Sequence, residues 1–442
     1  MHPWSASVAT TAPNTKEVPL VSNVFVLGLD ELNLDALRDL RGAEDCEFHP
    51  LLSIEDLLES EDVQVAALLV KAEQQLEEFE GPVDAIVGYW DFPVSSMVPI
   101  LCRRLGLPGP NLEAVVKCEH KYWSRLEQQK VVTEHPRFGI VDLEGTPEVP
   151  EGMRFPMWLK PVKGASSDLA FRVGDQEQFE AAVGEIREGI DTLGEAFDFV
   201  LEHIELPPEI AEVGGMACLA EEEASGQQIT VEGYSFNGQA RPYGIIDSVN
   251  YPDTTSFLRF QYPARLPDQV AERMRDVSRK VMEQVDLRWG TFNIEYFWDP
   301  DTDDITLLEV NPRHSQSHAF MFEYVDGLPN HQIMLDLSLG VEPQHNPSQG
   351  EYAVAAKWHL RRFEDGVVRR VPTAEEVDRL EQQVPGIKVD IVPEEGQRLS
   401  DIPHQDSYSF ELADIHMGAR DQDELESKYQ RCVDALSFEF DS

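Results

Sequence analysis

Positive charge is what this sequence has least of. Against 82 Asp and Glu stand only 36 Lys and Arg, a net charge of −46 at pH 7, and just 11 of the basic residues are lysine. Such a surface repels phosphate backbones and anionic bilayers, which excludes a general nucleic-acid or membrane-surface role. It matches the carboxylate-dense surfaces of salt-adapted (halophilic) proteins and predicts stability that does not fall as KCl rises. Cysteine is scarce too. Cys46, Cys102, Cys118, Cys218 and Cys432 are odd in number, far apart and form no CxxC. That argues against a disulfide framework or a zinc site, and a reducing, cytoplasmic compartment is expected. No apolar run is long enough to span a bilayer. The first twenty residues lack a basic start and an apolar core, so they predict a flexible tail rather than a signal peptide. Missing as well are GxGxxG, GxSxG, HExxH and the Walker pattern GxxxxGK followed by Ser or Thr.

What remains is ample core material. Hydrophobic residues make up 42% of the 442 positions, enough for roughly two to four structural units. The runs NVFVLGL (23–29), VAALLV (65–70) and DAIVGYW (84–90) predict buried strands that alternate with helix-like stretches such as 94–105. That alternation indicates a small α/β unit with a mainly parallel sheet, ending at the Gly/Pro cluster LGLPGPN (105–111). Residues 112–130 predict one charged helix carrying Lys117 and Lys121. Beyond Phe155, residues 155–173 predict strand, small-residue loop and strand, and residues 218–239 a turn leading into an alternating strand. Val270, Met274, Val277, Val281 and Val285 recur at three- and four-residue intervals, the stripe of an amphipathic helix. Strands at 291–298 and 305–310 flank the turn DPDTDD, and a final helix is expected at 422–435.

That hairpin carries the sharpest geometry. With the turn centred near 301–302, Glu295 falls roughly opposite Glu309, where Cβ atoms lie about 5 Å apart. Asn311, two residues on, shares the face. Two carboxylates and an amide oxygen make a hard-oxygen set suited to Mg²⁺. The turn Asp299-x-Asp301-x-Asp303 is no calcium loop, because Asp304 and Val310 stand where an EF-hand requires Gly and Glu. A second feature is Lys160-Pro-Val-Lys163-Gly164-Ala165-Ser166-Ser167. Small residues after a strand let backbone N–H groups approach an anion, and lysine supplies charge.

Taken in order, FPMWLKPVKGASS (155–167), LAEEEASGQQITVEGYSFNG (219–238) and FNIEYFW with ITLLEVNPRHS (292–315) resemble the ATP-grasp superfamily, specifically its carboxylate–amine ligases of the L-amino-acid-ligase kind. The resemblance implies an α/β and α+β multidomain chain. After the tail 1–20 come a Rossmann-like N-terminal α/β domain (21–112) and an ATP-grasp domain (113–345, lid 150–220). A biotin-carboxylase-like C-terminal α+β subdomain (346–442) completes it. It implies that Lys121 (or Lys117 in its stead) and Lys160 grip the nucleotide phosphates and that Gly164 to Ser167, with Ser166 and Ser167, close over them. Glu221 and the backbone of Glu222 and Ala224 would meet the adenine, and Gln228 the ribose in place of the usual acidic residue. Glu295, Glu309 and Asn311 would hold Mg²⁺ (or Mn²⁺), and Arg313 would contact the transferring phosphate. Arg259, His314 and His318 are candidate substrate contacts.

The implied reaction converts a carboxylate to an acyl-phosphate with ATP, and an amine, with an amino acid among the substrates, then displaces phosphate. The partners are small molecules, and a homodimer is compatible with the resemblance. Two other readings carry the same motifs: a thiol or bicarbonate acceptor, or a nucleotide-binding regulator without turnover. No biotin-carrier segment is present, which argues against a full carboxylase chain.

Overall fold

β1 (Ser22–Leu27), β2 (Cys46–Leu51) and β3 (Ala85–Val87) pair in parallel in the order β2–β1–β3. The computed structural model describes residues 21–58, 63–164, 169–402 and 409–441; the tail 1–20 and the loop residues Ser166 and Ser167 lie outside them. The run VAALLV is not a strand. It opens the helix Val65–Glu78, whose buried Val65, Leu69, Ala72 and Leu76 form one stripe. Six apolar residues cannot distinguish the two periods; the later Ala72 and Leu76 decide for the helix. The charged stretch 112–130 is likewise two helices, Leu112–Glu119 and Lys121–Gln128, interrupted at His120 in extended backbone (φ −79°, ψ 95°).

A second, antiparallel sheet runs β4 (Phe138–Val141), β7 (Cys218–Glu222), β5 (Met157–Pro161), β6 (Phe171–Val173) and packs on the helix Gln176–Gly189 through Phe179, Val183 and Ile186. The largest sheet contains β8 (Gln227–Phe236), β9 (Gln239–Asn250), β10 (Phe257–Tyr262), β11 (Gly290–Asp299), β12 (Asp304–Asn311) and β13 (Val354–Arg362). β14 (Val367–Arg370) instead pairs with β17 (Glu439–Asp441), while β15 (Ile387–Ile391) and β16 (Phe410–Ala419) complete the large sheet in the order β12–β11–β8–β9–β10–β13–β16–β15. Of the C-terminal strands, β13, β16 and β15 therefore extend the central sheet, while β14 and β17 form a separate two-stranded ribbon.

One face of this sheet is apolar. Ile229, Val231, Phe292, Ile294 and Tyr296 pack against Val270, Met274, Val277 and Val281 of the helix Asp268–Gln284, the stripe expected from the sequence. By strand alternation the opposite face carries Gln228, Thr230, Glu232, Asn293, Glu295, Glu309 and Asn311. Among the described residues, no helix is long and apolar enough to cross a membrane.

Candidate active site

The β11–β12 register pairs Glu295 with Glu309 and Asn293 with Asn311, and a bulge follows Glu295. Gln228 Nε2 donates to Glu295 Oε2 at 3.0 Å. Asn311 Nδ2 donates to Asn293 Oδ1 (3.0 Å) and lies 3.4 Å from Glu295 Oε1, which leaves its amide oxygen as the atom able to coordinate. Burial, and then the neighbouring Glu309 charge, push the Glu295 carboxyl up to about 7. Burial would raise Glu309 too, but Lys121 and Lys160 outweigh it and hold that carboxyl below its ordinary value. A pair left so unevenly charged is short of one cation. Two carboxylates and an amide oxygen are the donor set a hard divalent ion takes, so these residues fit Mg²⁺.

The break at His120 positions the first lysine. His120 Nδ1 accepts from Trp123 N–H and its Nε2 meets Gly214 O at 3.0 Å, so the ring caps the following helix. Lys121 N–H donates to Val162 O, and Lys121 Nζ reaches Glu309 Oε1 (2.6 Å) and Gly164 O (3.0 Å). Lys117 points elsewhere: it pairs with Glu113 and sits over the Trp123 ring. Lys160, on β5, pairs with Glu221 Oε2 at 2.6 Å, and Arg125 Nε takes Glu221 Oε1 at 2.6 Å. Arg125 Nη2 also donates to Leu308 O, one residue before Glu309, which ties lid sheet, helix and hairpin together. Burial would raise Glu221, yet Arg125 and Lys160 draw it down to about 2. Lys160 itself is lowered, chiefly by burial.

Arg313 turns its fork to Asp91, bonding it through Nε (2.8 Å) and Nη2 (2.7 Å). The loop after β3 thereby contacts the site. Lys163 is buried against Glu119 Oε2 (3.1 Å), with Ser95 and Ser96 hydroxyls on the same carboxylate and the Phe92 and Phe197 rings at 4.7 and 5.2 Å. It latches the end of β5 to the N-terminal helices.

Other expected residues stand differently. Glu221 accepts from Lys160 through one carboxylate oxygen and from Arg125 through the other. The Glu222 N–H donates to Arg137 O, which removes that donor from base recognition; Ala224 lies in the loop between β7 and β8. His314 is fully buried, with Nδ1 on Thr291 (3.3 Å) and Nε2 on His331 (2.9 Å), and has no nitrogen left for a substrate. Arg259 stacks over Trp358 at 4.6 Å on the helix-covered face, away from the glutamates. His318 does face the cleft side, its Nδ1 2.8 Å from Glu232. Sequence reasoning passed over Arg125, Asp91, Glu119, Glu232 and Asn293. Two were legible: Asn293 by alternation from Glu295, and Arg125 by lying one helical turn from Lys121. Asp91 and Glu119 carried no local signal.

A hairpin with paired glutamates, met by Lys160 from a small antiparallel sheet and Lys121 from a helix, fits the ATP-grasp class of fold, and residues 153–319 match the ATP-grasp domain family. The chain thus contains an ATP-grasp domain and has the fold of that class. Over its whole length it is similar to the L-amino acid ligase of Bacillus licheniformis (TM-score 0.70, 17% identity, 95% of this chain and 99% of that one). It is also similar to the biotin carboxylase of Campylobacter jejuni (TM-score 0.63, 15% identity, 95% and 92%). Among curated sequences, the carbamoyl phosphate synthase large chain of Kocuria rhizophila is 37% identical over 75 residues, 17% of this chain and 7% of that protein. The uncharacterised protein y4rH of Sinorhizobium fredii is 25% identical over 215 residues, 48% and 40% respectively. The matched region thus spans less than half the length of these curated relatives.

Proposed function

We propose that the protein is an ATP- and Mg²⁺-dependent ligase that activates a carboxylate as its acyl-phosphate and joins it to an amine, with an amino acid as one substrate. The observation that carries this reading is the convergence of Lys121 Nζ on Glu309 beside Glu295 and Asn311. An ammonium group and a hard-oxygen cradle meet where a nucleotide's terminal phosphates need both. Mg²⁺ held by Glu295, Glu309 and Asn311 would neutralise charge on the transferring phosphate.

The remaining work falls to this chain's own side chains. Lys121 and Lys160 are each bound to a carboxylate here, and a phosphate is a stronger competitor for both ammonium groups. Arg313 holds its planar fork ready on Asp91, and the same fork fits a phosphoryl oxygen pair. The small sheet that carries Lys160 would serve to exclude water, which an acyl-phosphate requires. No side-chain nucleophile is needed.

The test is ADP release with the twenty amino acids, singly and in pairs, at low and high KCl. Turnover that requires an amine is expected. ADP release that ignores every amine but follows a thiol or bicarbonate would replace the acceptor, and no Mg·ATP binding at all would overturn the reading.

A further inference from the structure

His314, next in the chain to Arg313, is one link of a hydrogen-bonded relay that leads out of the site. Its Nε2 lies 2.9 Å from His331 Nδ1, and His331 Nε2 lies 2.9 Å from Asn33 Oδ1. Asn33 Nδ2 donates to Asp30 Oδ2 at 2.6 Å, and Asp30 Oδ1 accepts from Asn33 N–H as the N-cap of the helix Glu31–Arg38. At the other end Thr291 Oγ1 meets His314 Nδ1 at 3.3 Å and accepts from His314 N–H at 3.1 Å. Asn33 and His331 are 298 positions apart, so the relay joins the N-terminal α/β unit to the glutamate hairpin. Thr291, His314, His331 and Asn33 are all buried, both rings fully.

Only one set of proton positions satisfies this relay. An ionised carboxylate can only accept, so the Asn33 atom on Asp30 is its NH₂ and the atom on His331 its carbonyl oxygen. His331 Nε2 therefore carries the proton and its Nδ1 is bare. His314 must then donate from Nε2, which leaves its Nδ1 to accept from the Thr291 hydroxyl. Burial keeps both rings neutral, pushing His331 down to about 4 and His314 well below its ordinary value.

The relay bears directly on Arg313. Arg313 Nη1 lies 3.4 Å from His314 O, while Nε and Nη2 hold Asp91. Tyr89, two residues before Asp91, stands against the His331 ring at 5.3 Å and the His314 ring at 6.4 Å, with its hydroxyl 3.4 Å from Asp30 Oδ2. Thr291 lies on the same face of β11 as Asn293 and Glu295, and Asn293 Nδ2 donates to Arg313 O at 3.2 Å.

We infer that His331 is a positioning residue for phosphoryl transfer: acting through His314, it fixes the Arg313 guanidinium relative to the glutamate pair. This rests on the ligase reading above, in which Arg313 meets the transferring phosphate. An apolar pair of the same size would fill the space without fixing direction. A network whose every atom has a single role admits one arrangement, and a misplacement of about 1 Å at a reacting centre can cost about 100-fold in rate.

The test reads ADP release with the twenty amino acids, singly and in pairs, and Mg·ATP affinity by calorimetry, in wild type, Thr291→Val, Thr291→Ser and His331→Leu. Thr291→Val keeps the shape and loses the hydroxyl; Thr291→Ser keeps the hydroxyl. Expected is a fall in kcat of about tenfold or more in Thr291→Val and His331→Leu, with Mg·ATP affinity within about twofold of wild type and kcat recovered in Thr291→Ser. In an Arg313→Lys background, which keeps the charge and removes the fork, adding Thr291→Val should change the single-turnover rate by less than about twofold, because the group being placed is gone. Wild-type kcat in Thr291→Val, or no recovery in Thr291→Ser, would overturn the inference. So would an undiminished further fall in the Arg313→Lys background, or a loss shared equally by Mg·ATP affinity. If His331→Leu does not fold, the Thr291 series decides alone. A wild type that binds Mg·ATP but releases no ADP with any acceptor would instead remove the ligase reading beneath it.

Discussion

Glu221 shows how one buried carboxylate can organise a site. It holds Lys160 and Arg125 at 2.6 Å each and is 3% exposed. Replacing it with Gln strands two buried cations, and breaking such a pair costs about 3–5 kcal/mol; chemical denaturation at pH 7 measures this. Its folded pKa of about 2 lies below the ordinary 4.5. Its stabilisation is therefore present above pH 4.5 and lost as the pH falls from there toward 2. The stability–pH curve of Glu221→Gln should be flatter than wild type over that window. At the hairpin, Glu309→Gln should leave the melting profile cooperative while kcat drops by at least about 100-fold, since several kcal/mol of charge stabilisation is at stake. Lys160→Ala should weaken ATP binding by roughly tenfold or more, read by titration calorimetry. The glutamates were legible because alternation and a short turn constrain which residues face each other. Asp91, 222 positions from Arg313, was not, because no local pattern encodes a contact between separate sheets.

Among the elements, the two helices that replace the expected single one matter most. The interruption at His120 puts Lys121 N–H on Val162 O and its ammonium on Glu309. Removing the cap with His120→Ala should cost about 1–2 kcal/mol, with a measurable loss of ATP affinity because Lys121 shifts with its helix. The helix Ala374–Gln383 supplies the contrast. Its capping box pairs Thr373 and Glu376, so Thr373→Ala should cost about 1 kcal/mol while the kinetic constants stay at wild-type values. Helix periods were plain in long stretches such as Asp268–Gln284. They were hidden in VAALLV and at His120, where six residues, or one extended residue, decide the outcome.

At the scale of the molecule the governing quantity is charge. With 82 acidic and 36 basic residues, mutual repulsion opposes folding, and salt shortens its range from about 10 Å at 0.1 M to about 3 Å at 1 M. The melting temperature should rise between low and molar KCl, measured by calorimetry; a steady fall would refute the salt-adapted surface. The parallel N-terminal sheet, the glutamate hairpin and the amphipathic helix over the central sheet follow from the sequence alone, because period, turn length and alternation act over a few residues. The turning of Arg313 to Asp91, the latch of Lys163 on Glu119, the burial of His314 and the joining of β13, β15 and β16 to the central sheet were decided only in three dimensions. Each depends on groups far apart in the chain meeting where water is excluded, and no local pattern carries that information.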